Sequence, residues 1–194
     1  MKIKISNSFL LTLAFVISIN GFKLFSFVIL CSIIHEIGHI LMLKLFKVKI
    51  HCLSISAIGG KLYIANTSHL SNIKQILIYS FGIMLNIIFG YLFYFIAING
   101  IYSETFFILS GINFMLGCFN LLPIFSLDGF NILVPLLNIF CKSKNSNNIC
   151  NITSLILNLL LFLVGIVFAF SLNFSILIIS IYLICSHFRN YTNF

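Results

Sequence analysis

Residues 31–43, CSIIHEIGHILML, set two histidines and a glutamate inside one of the most apolar runs of a 194-residue chain. On a helix His35 and His39, four positions apart, project from one face about one turn from each other. Two imidazoles so placed can ligate one metal ion, and Glu36, on an adjoining face, can address a water bound to that ion. This is the mechanical content of His-Glu-x-x-His. The competing reading is a polar knot that hydrogen-bonds neighbouring helices. Such knots more often use Ser, Thr and Asn, which this chain has in plenty, whereas ionisable groups within an apolar span mark function.

The chain holds three carboxylate side chains, Glu36, Glu104 and Asp128. Glu104 lies in the polar turn NGIYSE and needs only solvation. Glu36 and Asp128 lie in or beside apolar runs, where a charge costs about 2.5–3.5 kcal/mol at mid-membrane on insertion scales. A catalytic zinc needs a third protein ligand and an open position for water. Asp128, in NLLPIFSLDG, is the carboxylate in a suitable setting, with Gly129 after it to permit an abrupt turn. Its rival role is the N-cap of a helix over 129–140. His51, His69 and His187 read as surface or interfacial side chains and stand as reserves for the third ligand.

These residues need helices in a bilayer to position them. The mean hydropathy is +1.18, and 7% of residues are charged, which excludes a soluble domain. With about 20 apolar residues needed per crossing, six segments emerge, at 8–20, 22–43, 73–98, 105–125, 152–171 and 174–187. The first follows Lys2 and Lys4 and resembles a signal peptide, but no small-x-small cleavage site follows, so it reads as a retained anchor. GFNILVPLLNIF, 129–140, is too short to span and holds Pro135, as a re-entrant or interfacial helix does. Between the second and third spans, KLYIA beside Gly59-Gly60 signals a hairpin.

The expected fold is therefore an all-α polytopic membrane protein of about six transmembrane helices, with a small cytoplasmic-side β-hairpin between the second and third. Residues 1–140 form the core, CKSKNSNNIC at 141–150 a cytoplasmic loop, and 151–194 a two-helix appendage. With six crossings, every cation except Lys23 falls on one side, which the positive-inside rule makes cytoplasmic together with both termini. The net charge of +8 is scattered at helix ends, without the clustered face and aromatic partners that nucleic acid requires. The six cysteines show neither a CxxC pair nor zinc-ribbon spacing.

HEIGH in the second span, SFGIMLNIIFG in the third and NLLPIFSLDG in the fourth resemble the three hallmark segments of the site-2 protease family of intramembrane zinc metalloproteases, peptidase family M50. The likeness covers roughly residues 5–140. The short first span and the Gly59-Gly60 hairpin most resemble the sporulation stage IV factor B-type branch, whose substrate is a sigma-factor precursor. The resemblance implies that His35, His39 and Asp128 bind Zn2+ and that Glu36 is the general base. It also implies that Asn86 contacts substrate or the developing oxyanion, and that the Gly59-Gly60 strand borders the substrate path. Residues 82–86, Gly-Ile-Met-Leu-Asn, lack the proline common in the family, and the chain lacks the nucleotide-sensing domain that the sporulation branch often carries.

The expectation is an enzyme of a bacterial-type cell membrane, embedded in the lipid bilayer. It would cut a membrane-associated protein substrate, such as a sigma-factor precursor or an anti-sigma factor, under the control of an inhibitory membrane partner. Two rivals are a metal-ion transporter and a non-catalytic membrane subunit. A transporter needs polar residues along a whole route, and the last two spans offer little beyond Asn158 and scattered serines. Intact His35, Glu36, His39 and Asp128 argue against decayed chemistry.

Overall fold

The computed structural model describes residues 2–5, 22–48, 50–56, 59–64, 70–100, 102–141, 143–171 and 174–191. The chain divides into two compact units, residues 1–118 and 119–194.

In the first unit the apolar run after position 21 forms helix α1, Phe22–Leu45. It ends where Lys47 turns left-handed at φ 55°. The Lys47 N–H then donates to Lys44 O at 3.0 Å and the Val48 N–H to Leu43 O at 2.9 Å, which satisfies carbonyls that the helix end would leave bare. Val48 and Phe46 pack with Met42, Leu43 and Ile78 in a small apolar core. Helix α2, Asn72–Ile98, follows, and then α3, Ser103–Leu121, whose last turn passes into the second unit.

Close helix contact in this unit relies on small residues. A Cβ added to Gly38 of α1 would stand 2.7 Å from the Gly82 Cα and the Phe81 carbonyl oxygen of α2. Only glycines allow that approach, and in a bilayer such approach is what holds helices together. Between α2 and α3, Gly90 admits the Phe114 ring, and the Ser110 hydroxyl donates to Gly90 O at 2.8 Å. The Asn113 amide of α3 donates to Cys31 Sγ of α1 at 3.0 Å.

The same unit carries β1, Lys2–Ile5, β2, Ile50–Ser56, and β3, Gly59–Ile64. They form one sheet in the order β1-β2-β3. β1 runs parallel to β2, from Lys2 opposite Cys52 to Ile5 opposite Ile55. β2 and β3 are antiparallel, with Leu53 opposite Leu62 and Ser56 opposite Gly59, and a register shift falls between Ile50 and Cys52.

In the second unit, helix α4, Asp128–Phe140, is 13 residues long with Pro135 buried inside it. Helix α5, Ser143–Ala169, and helix α6, Ser175–Tyr191, complete the chain. Their backbones close up at Gly165, where an added Cβ would lie 2.8 Å from the Leu177 Cα.

The expected fold class does not hold. Four helices among the described residues are long and apolar enough to cross a membrane, not about six: α1, α2, α3 and the stretch Asn145–Ala169 of α5. The 8–20 segment lies outside the described residues. The last expected span is α6, whose 17 residues rise only about 26 Å against a hydrocarbon core of about 30 Å. The all-α description with a two-stranded hairpin also fails, since the N-terminal β1 makes the sheet three-stranded and a lone pair of strands is marginal in water. The polar run 141–150 is mostly helix, because α5 begins at Ser143.

Candidate metal centre

His35 and His39 are where the α1 spacing demands, on the buried face, 6% and 5% exposed. The His39 ring is held from α2: its Nδ1–H donates to Ile78 O at 2.8 Å. That bond sets the tautomer and leaves Nε2 with its lone pair outward. His35 Nε2 lies 3.1 Å from His39 Nε2, and the rings meet edge to face with centroids 4.7 Å apart. Two ring nitrogens converging on one point can supply two of the four ligands of a tetrahedral zinc.

α2 makes room for this pair. A Cβ on Gly82 would lie 2.5 Å from His39 Nε2 and 3.1 Å from His35 Cε1, so the glycine is what lets both rings lie against the helix. Ile78, Gly82 and Asn86 follow one another at four-residue steps and so share one face of α2. Asn86 is fully buried, and among the described residues neither its amide nitrogen nor its amide oxygen has a hydrogen-bond partner. Glu36, half-buried, follows His35 on α1.

Asp128 is the first residue of α4. The rival role expected for it is overturned, because the N-cap is Leu127, at φ −99° and ψ 162°. Gly129, the second residue of α4, lies so close under the end of α3 that an added Cβ would collide with Leu121 O; the turn expected after the acid is not there, and the chain turns before it, over residues 122–127. Asp128 belongs to the second unit, His35 and His39 to the first.

Gly59 and Gly60 open β3, opposite Ser56 and Ile55. His69 lies outside the described residues, and His51 falls in β2. His187, expected at the surface, is 2% exposed and meets the Phe125 ring edge to face with centroids 5.4 Å apart. Sequence reasoning missed the parts played by Gly38, Gly82 and the Ile78 carbonyl. The signal for the first was present, since Gly38 lies inside HEIGH itself; nothing local marks a carbonyl that a histidine from another helix will use.

The model of peptidase family M50 matches residues 97–164. A zinc metalloprotease of Methanocaldococcus jannaschii is 29% identical over 165 residues, which is 82% of this chain and 46% of that protein. This chain therefore spans less than half the length of that relative. Among solved structures, the site-2 protease from Methanocaldococcus jannaschii superposes with a TM-score of 0.75 at 24% identity, over 96% of this chain and 89% of the other, a likeness of fold.

Proposed function

We infer that the chain belongs to peptidase family M50, the site-2 proteases, and that it is a zinc metalloendopeptidase of the membrane. The observation that carries the reading is the His35–His39 pair, with its nitrogens converging beside Glu36 inside a helix apolar enough to cross a bilayer. His35, His39 and Asp128 would hold the ion. When bound, zinc acidifies a water and polarises a peptide carbonyl. It also offsets the cost of the two carboxylates in an apolar setting.

Glu36 takes the proton of the attacking water and returns it to the leaving amine, as a general base that becomes a general acid. The Asn86 amide, buried without a partner among the described residues, is available to donate to the oxygen on which negative charge develops. The substrate is a peptide bond within or next to the membrane segment of another protein. Helical hydrogen bonds shield such a bond, so the segment must unwind locally. β3 is an edge strand of its sheet, and its Gly59-Gly60 end offers backbone groups to an unwound segment. By its likeness to the sporulation branch, the proposed substrate is a membrane-tethered regulator, a sigma-factor precursor or an anti-sigma factor, restrained by an inhibitory membrane partner.

The test is Glu36→Gln in detergent-purified protein. Zinc content should stay near one equivalent while cleavage of a membrane-segment substrate falls by at least about a hundredfold. Retained cleavage would remove Glu36 from the reaction, and zinc-free, folded wild-type protein would remove the metal.

A further inference from the structure

The turn that leads into Asp128 is held from outside its own segment, all within the second unit. Residues 122–127 form no helix. Two short backbone bonds shape them, Ile124 N–H to Leu122 O at 2.8 Å and Leu127 N–H to Ile124 O at 3.0 Å. Ser126 sits at φ 80°, a left-handed conformation that costs an ordinary residue and persists only where its surroundings over-determine it.

Those surroundings are α5 and α6. The Phe125 N–H donates to Ser154 Oγ of α5 at 2.7 Å. The Ser126 and Ser186 hydroxyls share a hydrogen bond of 2.8 Å, the second from α6. Between these pins, Ile124 and Leu127 are buried with Leu183, against Leu157, Leu161 and Ile179. Ser154 itself is fully buried. In a bilayer a hydroxyl at that depth would otherwise satisfy itself on its own helix; here it accepts from a backbone three residues before a carboxylate.

We propose that Ser154 and Ser186 are positioning residues for the metal ligand Asp128, and that α5 and α6 serve to clamp the turn that aims it. This rests on the reading of Asp128 as a ligand. Neither serine touches the ion; each restricts the backbone from which the carboxylate projects, so that ligation costs less ordering.

The experiment is titration of zinc, and of cobalt with its visible spectrum, into metal-free, detergent-purified full chain carrying Ser154→Ala. The dissociation constant should rise about tenfold, the lower end of what loss of a ligand's supporting partner costs, and the cobalt bands should shift. Ser180→Ala, which removes a buried hydroxyl bonded to Leu177 O of its own helix, should leave both unchanged. In an Asp128→Ala background Ser154→Ala should have no further effect on residual affinity, because additivity fails where one residue acts through the other. Should Ser154→Ala not fold, Ser126→Ala carries the same test through the second pin. Unchanged affinity and spectrum in these variants would overturn the clamp while leaving Asp128 a ligand. An equal loss in the Asp128→Ala background would reduce Ser154 to general packing. An Asp128→Ala protein that binds zinc like the wild type would instead sink the ligand assignment itself.

Discussion

His39 shows how a single side chain divides its work between folding and chemistry. Its Nδ1 ties α1 to α2 through Ile78 O, and its Nε2 is thereby turned toward His35. Gly82 lies directly against that ring and close to His35, so Gly82→Ala has two soft neighbours to displace, both imidazoles. The cost should therefore appear in metal binding more than in folding. We expect zinc affinity to fall about tenfold, with only a small change in the melting temperature of the metal-free protein, measured by zinc titration beside thermal unfolding. Asn86 reports the opposite trade. A buried amide without a partner among the described residues costs about 1–3 kcal/mol, so Asn86→Ala should leave stability at or above that of the wild type. If the amide serves a developing oxyanion, kcat/KM should drop about a hundredfold. A variant that is both less stable and fully active would reverse the assignment.

At the scale of helices, the α1–α2 crossing is built on glycine against glycine. The neighbours that a Cβ on Gly38 would meet are backbone atoms of Phe81 and Gly82, which cannot rotate aside. Gly38→Ala must push the two helices apart, at an overpacking cost of about 1–3 kcal/mol. Because the Ile78–His39 bond crosses the same contact, zinc should be lost together with stability. This coupling separates Gly38→Ala from Gly82→Ala in paired melting and zinc measurements. α6 illustrates a different limit: its 17 residues stand at the short end of what a crossing takes, and its packing on α5 at Gly165 and Leu177 gives the pair a shared interior. Ser154, Asn158, Ser180 and His187 are all buried, although α5 and α6 read from sequence as a plain apolar appendage.

For the whole molecule, four helices long and apolar enough to cross support residence in a membrane. Orientation is a separate matter, argued from charge. Lys44 and Lys47 close α1 and Lys74 opens α2, whereas Lys23 stands at the far end of α1. By the positive-inside rule, the connection that carries β2 and β3 is expected to face the cytoplasm. Lys47→Cys should react with a membrane-impermeant thiol reagent only in inverted vesicles or broken cells, and Lys23→Cys should react in intact ones. The reverse pattern would put the sheet, and with it the proposed substrate strand, on the outer side.

The apolar runs that form α1, α2 and α3 and the one-turn spacing of His35 and His39 were legible in the chain because each is a local property. Helical periodicity places i and i+4 on one face whatever surrounds them. Span number was less legible, because hydropathy marks the apolar run at 174–187 but does not decide whether the helix it forms crosses a bilayer. What only the tertiary structure decided are contacts between residues far apart in sequence: β1 completing the sheet, Gly38 meeting Gly82, Ile78 O orienting His39, and Ser154 holding the turn before Asp128. A carbonyl or a serine carries no mark of its eventual partner. That choice is made when packing removes water and each buried polar group must find what is nearest.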